Sequence, residues 1–450
     1  MDYELRVVVE KVAVSSQEVV KRDTLKVYDL KEPDSILELG LRHQEQISLL
    51  EKVQNSILAA QSKLIDPGHE HCPKCGGKLN KLGFTQSKFQ AVFSDHKVGI
   101  QKHVCKNPEC RWQSSPTTTS VFGTSIHPDL AKLQCEQGAL YSYREAETNL
   151  EKLNVHRRRV NNHNQIRLLT DTVGEVLAAE NLKPPAAEEC ASPAAELIVQ
   201  VDGGHVPVKD KEKRSFEALS AVVYRPETIR IVDRHHREIE SKSCALSAKD
   251  DGQVTMKTYL LNAALKQGLV EETEVTALAD GASNCWWAIS CLEPHCKTLT
   301  CILDWWHIGK TFQNARGGVP DELKEKLEGI KWKVWHGKPK EALAKLELLI
   351  GHVTDSKKCN KLEGLYQYLE GNRDYLVNYQ KREEMGQPFS SQVAESHIES
   401  LVNARHKRSR KMQWTRDGAH KVLQIRGLIA GNEWEKKWQP AVLQALGAAA

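Results

Sequence analysis

Residues 197–207 are LIVQVDGGHVP, residues 274–282 are EVTALADGA and residues 298–307 are TLTCILDWWH. These three segments decide the fold. Each is a short apolar run followed by glycine or polar residues, a pattern that predicts a buried β-strand. Each run ends in a carboxylate, so the three strands deliver Asp202, Asp280 and Asp304.

The segments between these strands predict the rest of an α/β domain. Two further strands and two helices are expected, at residues 217–224, 228–233, 252–268 and 284–292. The order of elements is then β-β-β-α-β-α-β-α, which resembles that of the RNase H-like fold. In that fold the first and fourth strands lie side by side. The resemblance therefore implies that Asp202 and Asp280 meet at one edge of the sheet.

Carboxylates that converge in this way have a chemical meaning. Two of them repel one another unless a cation lies between them. A pair of Mg²⁺ ions about 3.5–4 Å apart, held by such acids, clamps a phosphodiester, one ion activating the attacking oxygen and the other stabilising the leaving oxygen. The sequence therefore predicts that Asp202 and Asp280 hold catalytic Mg²⁺ or Mn²⁺.

A third carboxylate has to come from a later part of the chain. Residues 309–390 predict a long helical insertion, because they are polar and carry helical periodicity. An amphipathic helix follows the insertion, with Val393, Ile398 and Leu401 on its apolar stripe and with Glu395 and Glu399 one turn apart. Either glutamate satisfies the requirement for a third acid by type and position.

Two pairs of cysteines nearer the N-terminus predict a metal site of a different kind. Two residues separate Cys72 from Cys75, and four separate Cys105 from Cys110. A Cys-x₂₋₄-Cys knuckle presents two thiolates to one ion, and two knuckles make a closed tetrahedral Zn²⁺ site. The other interpretation is four unrelated buried cysteines. A closed site has no open position, so this zinc is expected to be structural rather than catalytic.

The segments on either side of the cysteines predict simple modules. Residues 1–30 predict a β-hairpin, and residues 34–65 predict an amphipathic helix that packs on the core or in a dimer. Helices at 143–153 and 161–179 resemble a helix-turn-helix. Its polar and basic residues would contact DNA: Arg157, Arg158, Arg159, Asn161 and Asn162. The alternative is a solvated turn between two core helices.

Taken together, these motifs resemble the DDE transposases of bacterial insertion sequences. The resemblance covers about residues 110–440 and includes Asp202-Gly203, Asp280-Gly281, the Asp304-x-x-His307 signature and VAESHIESLVNARHK at 393–407. The chain is most similar to the group related to Mutator-like and hAT transposases, which has a (Cys/Asp)-x-x-His motif. The resemblance implies a metal-dependent endonuclease and strand transferase. It would act on double-stranded DNA, at terminal inverted repeats and a target site, as a homodimer or higher multimer.

Carried over by position, the resemblance implies three catalytic acids, Asp202, Asp280 and Glu395. Asp304 is the rival of Asp280, and its other interpretation is a strand-end cap or a group that orients His307. Glu399 is the rival of Glu395, and its other interpretation is a solvated helix face. His307 either hydrogen-bonds near the scissile phosphate or stabilises the fold.

Further basic and aromatic residues are weaker candidates. A cluster after the last acid would bind DNA phosphates and stack on a base: Arg405, Lys407, Arg408, Arg410, Lys411 and Trp414. The alternative is a solvated basic face. The doublets Trp286-Trp287 and Trp305-Trp306 favour core packing over base stacking. The remaining cysteines of 285–301 are expected to be buried thiols.

Composition narrows the class of protein. The chain has 450 residues and a net charge of +4, so local patches rather than the whole surface would attract a polyanion. Its 40% of apolar residues is typical of globular proteins and argues against extended disorder. No apolar run is long enough to span a membrane, and the N-terminus does not resemble a signal peptide. A cytoplasmic protein that associates with the nucleoid is expected.

These patterns divide the chain into five parts. They are an N-terminal hairpin and helix (1–66), a zinc-ribbon-like module (67–125), a helix-turn-helix (126–182), a Pro/Ala-rich linker (183–196) and an RNase H-like catalytic domain (197–440). Two other functions stay open. One is a domesticated, non-transposing regulator that binds DNA through the zinc module and the helix-turn-helix. The other is a nuclease that acts on RNA or on nucleic-acid junctions.

Overall fold

The computed structural model describes residues 3–68, 70–153, 161–209, 212–233, 237–317, 319–353, 355–390, 395–408 and 412–448. Within these ranges, the side chains at positions 237, 358 and 395–399 are not described. The chain divides into two compact units, residues 1–173 with 438–450, and residues 174–437. None of the described helices has the length and apolar character needed to cross a bilayer.

The first unit begins with a long antiparallel hairpin, as the alternating pattern predicts. Its strands are β1 (Tyr3–Val12) and β2 (Val19–Leu30). Helix α1 follows at His43–Gln61. The sequence prediction placed the start of this helix at residue 34, which is wrong. Gly40 has a positive φ of 78°, a conformation that a right-handed helix does not contain, so the helix begins only after it.

The cysteine pairs flank a second hairpin. Its strands are β3 (Leu79–Gln90) and β4 (Asp95–Cys105), which pair antiparallel, as expected for a β-rich insert. Four helices follow: α2 (Thr118–Phe122), α3 (Pro128–Leu140), α4 (Tyr143–Glu151) and α5 (His163–Asn181). Ala146, Leu150 and Ile166 form a buried cluster between α4 and α5. The two helices of the expected helix-turn-helix are therefore present, and residues 154–160 between them lie outside the described part.

The second unit is built on a five-stranded mixed sheet. In chain order its elements are β5 (Glu196–Pro207), β6 (Ser215–Tyr224), β7 (Ile229–Ile231), β8 (Arg237–Ile239), β9 (Lys242–Ser247), α6 (Val254–Lys266), β10 (Glu274–Ala279), α7 (Ser283–Ile289) and β11 (Thr298–Leu303). The strand order is β11-β10-β5-β6-β9. Strand β10 is parallel to β5 and β11, and β6 is antiparallel to β5 and β9. The first and fourth predicted strands are therefore neighbours.

The third strand of the sheet is not the predicted one. Residues 228–233 were expected to form it, but β7 pairs only with β8 among the described residues, and β9 takes the place beside β6. Ile231 and Val232 are 69% and 48% exposed, whereas Ala245 and Leu246 of β9 are both buried. A strand packed on both faces needs side chains that are buried on both sides, and β9 supplies them.

The sheet separates two hydrophobic layers. Leu197, Val199 and Val201 of β5 pack on the side of α6 and α7. Ile198 and Val206 of the same strand belong to the opposite layer, with the helices that follow β11. The alternation is the period of two expected for a strand. It fixes Asp202 on the same face as Ile198 and Val206.

The chain after β11 is helical, as predicted for residues 309–390. The helices are α8 (Trp305–Arg316), α9 (Asp321–Trp335), α10 (Pro339–Ile350), α11 (Ser356–Gly371) and α12 (Tyr379–Glu384), and then α13 (Glu395–His406), α14 (Arg416–Ala430) and α15 (Trp434–Leu446). Two tyrosines join these helices to the sheet. Tyr368 Oη donates to the Asp280 carbonyl at 2.8 Å, and Tyr379 Oη donates to the Leu303 carbonyl at 2.7 Å.

Replacing Tyr379 by phenylalanine tests this attachment. Tyr379 is fully buried, so Tyr379→Phe leaves the Leu303 carbonyl without that donor. We expect the free energy of unfolding to fall by about 1–3 kcal/mol. Tyr375→Phe is the matched control, because Tyr375 contributes a ring stacked 4.1 Å from Trp286, and it should change stability by less than about 0.5 kcal/mol. Equal midpoints of urea unfolding for the two variants would contradict the role of the Tyr379 hydroxyl.

Candidate catalytic and metal sites

The pairing of β5 with β10 brings two acids together. Val201 is opposite Ala279 in the parallel register, so the next residues of the two strands, Asp202 and Asp280, follow side by side. Gly281, directly after Asp280, has a φ of 101°, and a Cβ at this position would lie 2.8 Å from the Asn372 side chain. The Asp-Gly sequence is therefore required for the chain to turn away at this point.

Asp202 and Asp280 line one cavity of about 450 Å³. Helix α8 forms another wall of it, through His307, Lys310 and Asn314. Other elements contribute further wall residues: Ser220 from β6, Tyr368 from α11, and Val402 and Asn403 from α13. The cavity thus combines two carboxylates with a basic and polar helix face.

The environment of Asp202 raises its pKa above the usual value of 3.8. Burial is the largest cause, because it disfavours the ionised carboxylate. Asp280 and Asp304 act in the same direction by repulsion, whereas His307 and a hydrogen bond from the Gly203 N–H act against it. The Gly203 nitrogen lies 2.8 Å from Asp202 Oδ1. Because Asp280 and Asp304 repel the ionised form of Asp202, a cation bound beside these carboxylates would relieve that repulsion.

Asp304 has a different environment from the other two acids. Its side chain is fully buried, and Oδ1 accepts from the Trp306 N–H at 3.2 Å, which caps α8. Its Oδ2 lies 3.7 Å from His307 Nε2. The described lining of the cavity includes Asp280 and not Asp304. Asp304 is therefore the N-terminal cap of α8 and a neighbour of His307, and its place as the rival second acid stays a prediction from the sequence.

The helix that carries the expected third acid lies directly on β5. A Cβ at Gly204 would be 2.8 Å from Val402 Cγ1, so glycine at position 204 permits the close approach of α13. Glu395 is the first residue of α13. The side chains of Glu395 and Glu399 lie outside the described part, so their assignment stays a prediction from the sequence.

Several residues of the cavity were not predicted. Lys310, Thr311 and Asn314 stand three, four and seven residues after His307, so helical periodicity from the Asp304-x-x-His307 signature was a usable signal. Ser220 lies opposite Asp202 in the register of β5 and β6. No local signal marks Tyr368 or Asn403, because only tertiary packing brings α11 and α13 to the strand ends.

Two of the residues proposed to bind DNA after the last acid are buried, so that prediction was wrong. Arg405 is 1% exposed and Trp414 is 7% exposed. The Arg405 guanidinium lies 4.7 Å from the Trp414 ring centre, and Trp414 Nε1 donates to the His406 carbonyl at 3.2 Å. Both side chains lie in the protein interior beside the C-terminal end of α13. Neither presents a surface to phosphates or bases.

The other candidates for DNA contact fall into three groups. Lys407 and Arg408 are exposed at the end of α13, whereas Arg410 and Lys411 lie outside the described residues, as do Arg157, Arg158 and Arg159. Asn161 is 2% exposed and accepts from Gln134 Nε2 at 2.9 Å, so it is a core residue and its expected base contact was wrong. Asn162 Oδ1 accepts from the backbone N–H groups of Asn164 and Gln165, which caps the start of α5.

The tryptophan doublets each divide between core and surface. Trp286 stacks on Tyr375 and donates to Asn372 Oδ1 at 2.9 Å, whereas Trp287 is 57% exposed. Trp305 packs 4.7 Å from Trp335. Trp306, which follows it, lines the cavity that contains Asp202 and Asp280. The expectation of core packing is therefore met by one tryptophan of each pair.

Four cysteines of the first unit form a compact cluster. Cys72 Sγ lies 3.7 Å from Cys110 Sγ, and Cys75 Sγ lies 3.5 Å from Cys105 Sγ. All four sulfur atoms lie within 4.8 Å of one another. A tetrahedral zinc with Zn–S bonds of about 2.3 Å has S–S edges of about 3.8 Å. The donor set and spacing therefore fit one Zn²⁺ ion, and among the described residues this is the cluster with suitable ligand geometry.

The thiols of the cluster differ in how readily they ionise. Burial opposes ionisation of Cys72, but hydrogen bonds from the backbone N–H groups of Lys74 and Cys75 and from the neighbouring thiols lower its pKa to about 7. Burial raises the pKa of Cys105 to about 12. A bound cation would supply a field that favours the thiolate form of these groups.

Replacing Cys75 by serine tests the zinc site. Three of the four cysteines are buried and Cys75 is exposed, so the substitution removes a ligand with little loss of packing. We expect the zinc content to fall from about one ion per chain to near zero and residues 67–125 to become sensitive to proteolysis. Cys359→Ser, in the other unit, should retain zinc. Purified wild-type protein without zinc would contradict the assignment.

The raised pKa of Asp202 gives a prediction for stability against pH. A carboxyl group whose pKa is higher in the folded state destabilises that state once it ionises. The metal-free protein should therefore lose stability as pH rises from the ordinary aspartate value of 3.8 through the raised value. Asp202→Asn should remove this loss, and unfolding in EDTA at a series of pH values measures it. The exposed Asp374→Asn is the control, and identical curves for Asp202→Asn and wild type would contradict the prediction.

Comparison of the chain with protein-family models and with curated proteins finds no match. Two features of the structure bear most directly on function. They are the pair of acids at the ends of adjacent parallel strands and the cluster of four cysteines that fits a metal ion.

Proposed function

We propose that the protein is a DNA transposase that cleaves phosphodiester bonds at the ends of its element and joins them to target DNA. The observation that carries the proposal is the position of Asp202 and Asp280, which follow adjacent parallel strands and line one cavity. Two acids placed in this way are suited to two-metal-ion chemistry on a phosphodiester.

The arrangement of the sheet supports an RNase H-like catalytic domain. Across the sheet the strands lie in the order β9, β6, β5, β10 and β11. If the five strands are numbered along the chain, this order is 3-2-1-4-5. The second strand, β6, is antiparallel to its neighbours. The resemblance to DDE transposases implies that the first and fourth strands are neighbours, as β5 and β10 are here. The helices α8 to α12 occupy the position expected for the insertion of the Mutator/hAT-related group.

The residues present fit divalent magnesium. Carboxylate oxygens are the ligands that Mg²⁺ prefers. Burial and the repulsion from Asp280 raise the pKa of Asp202, and a cation would relieve that repulsion. Asp202 and Asp280, with Glu395 as the expected third ligand, would hold the ions. When bound, the ions supply Lewis-acid activation of the attacking oxygen and charge stabilisation of the leaving oxygen.

The other cavity residues orient and neutralise the substrate. Lys310 supplies a positive charge for a phosphate oxygen beside the acids, and Asn314 and Asn403 supply amide hydrogen bonds. His307 is 20% exposed and is held by Asp304, so it can donate a hydrogen bond to a phosphate without losing its orientation. Asp304 acts through His307 and is a positioning residue.

The first unit supports DNA as the substrate. A cluster of four cysteines that fits a structural zinc and two consecutive helices, α4 and α5, are typical of modules that bind duplex DNA. Their presence favours a transposase over a nuclease that acts on RNA. The exposed Lys407 and Arg408, close to the end of α13, would add sequence-independent phosphate contacts.

Amide substitutions of the acids test the catalytic assignment. Asp202→Asn, Asp280→Asn and Glu395→Gln each remove a metal ligand with little change of shape. Each should cost several kcal/mol of transition-state stabilisation, or roughly a hundredfold to ten-thousandfold in cleavage rate. The measurement is strand cleavage of DNA that carries the element ends, with Mg²⁺ for cleavage and Ca²⁺ for binding, and binding should be retained by all three variants.

Asp304→Asn is the control that separates the rival assignments. It keeps an acceptor for the Trp306 N–H but weakens the hold on His307, so it should reduce cleavage and leave some activity. An inactive Asp304→Asn together with an active Asp280→Asn would show that Asp304 is the second acid. Normal cleavage by all four variants would refute the proposed chemistry.

A further inference from the structure

A second cavity lies on the other side of helix α8. Its volume is about 530 Å³, and α8 and α9 form its walls. Four cations line it, Lys310 and Arg316 from α8 and Lys324 and Lys331 from α9, with Glu328 as the acid of the lining. We call this cavity the α8–α9 cleft. It shares Trp306 and Lys310 with the catalytic cavity, so the two are continuous along one helix.

The positive charge of the cleft is only partly compensated. Lys331 Nζ lies 3.6 Å from Glu328, and Lys324 pairs with Asp321, which is 91% exposed and is not part of the lining. Within the described ranges, Lys310 and Arg316 are in no ion pair. The net field inside the cleft is therefore positive, and low-dielectric walls strengthen such a field.

The cations are held on a firm wall. Lys310 Nζ lies 4.6 Å from the Trp306 ring centre, and Lys331 Nζ lies 5.9 Å from that of Trp305. Trp305 in turn packs against Trp335 and Tyr379 in the core. Phe312 and Leu327, both buried, form the floor. A concave site with an apolar floor and fixed cations differs from a convex face of mobile, solvated lysines.

We propose that the α8–α9 cleft binds the phosphate backbone of the DNA strand that continues past the scissile phosphate. This inference rests on the proposed function, because it takes the acids as the place where the strand is cut. A strand that leaves the acids over Trp306 and Lys310 enters the cleft directly. Four cations in one cleft suit a run of phosphates, and contacts to phosphates do not depend on the base sequence.

Gly309 provides a test that leaves the fold intact. It lines the cleft, and a Cβ at this position meets no atom within 4 Å, so a longer side chain is accommodated and helix α8 gains propensity. Gly309→Glu places a negative charge among the cations, and Gly309→Gln places the same shape without the charge. Gly364→Glu, on α11 where a Cβ also meets open space, controls for the added charge elsewhere.

The first measurement is binding of a labelled random-sequence duplex by the full chain in Ca²⁺ at several salt concentrations. Gly309→Glu should bind several-fold more weakly than Gly309→Gln, with a salt slope that is shallower by about one unit, as for the loss of one phosphate contact. Gly364→Glu should match wild type. Equal affinities and slopes for Gly309→Glu and Gly309→Gln would overturn the proposal.

The second measurement separates this inference from the proposed function. Mg²⁺-dependent cleavage is compared on a substrate that extends beyond the scissile phosphate and on one that ends there. Gly309→Glu should slow cleavage of the extended substrate several-fold and leave the truncated one unchanged. Equal slowing of both substrates would overturn the assignment of the cleft. Failure of the wild-type protein to cleave either substrate would refute the proposed function itself.

Discussion

The pairing of β5 with β10 is the interaction on which the site depends. It places Asp202 beside Asp280, although 77 residues separate them in the chain, and it does so against their mutual repulsion. The pKa of Asp202 is raised by burial and also by that repulsion. The apolar layers on both faces of the sheet supply the opposing free energy, because they bury the alternating side chains of β5 almost completely. The fold thus holds the two carboxyl groups close together, whereas in an unfolded chain their repulsion would keep them apart.

The helical insertion completes what the strands begin. Strand-end carbonyls need donors when they are buried, and Tyr368 and Tyr379 supply them at the ends of β10 and β11. Trp286 adds a third link through Asn372. The acids therefore sit between a sheet that positions their backbone and an insertion that fixes the loops after it, so the insertion belongs to the site and is not an appendage.

The sequence predicts this architecture best where a run of apolar residues ends abruptly in aspartate. Strands β10 and β11 have the predicted bounds for that reason. Prediction from the sequence fails where burial in the tertiary structure determines which segment becomes a strand. The residues of β9 show little strand preference, yet they are buried on both faces of the sheet. The same cause explains Arg405 and Trp414, which look like a surface cluster in the sequence but face the core. Tyr368 enters the site from 88 residues beyond Asp280, a distance over which local patterns carry no information.

The two candidate metal sites differ in the metal ion that their ligands favour. Thiolates select a soft or borderline ion such as Zn²⁺, and carboxylates select a hard ion such as Mg²⁺. A closed cluster of four sulfur atoms has no position for a substrate, whereas Asp202 and Asp280 open on a cavity beside Lys310. Exchange of a metal at the acids would therefore be compatible with a zinc ion held permanently by the cysteines. Helix α8 contributes Lys310 to the walls of both cavities, so under the proposed function it would connect the metal-dependent chemistry to the path of a polyanionic substrate.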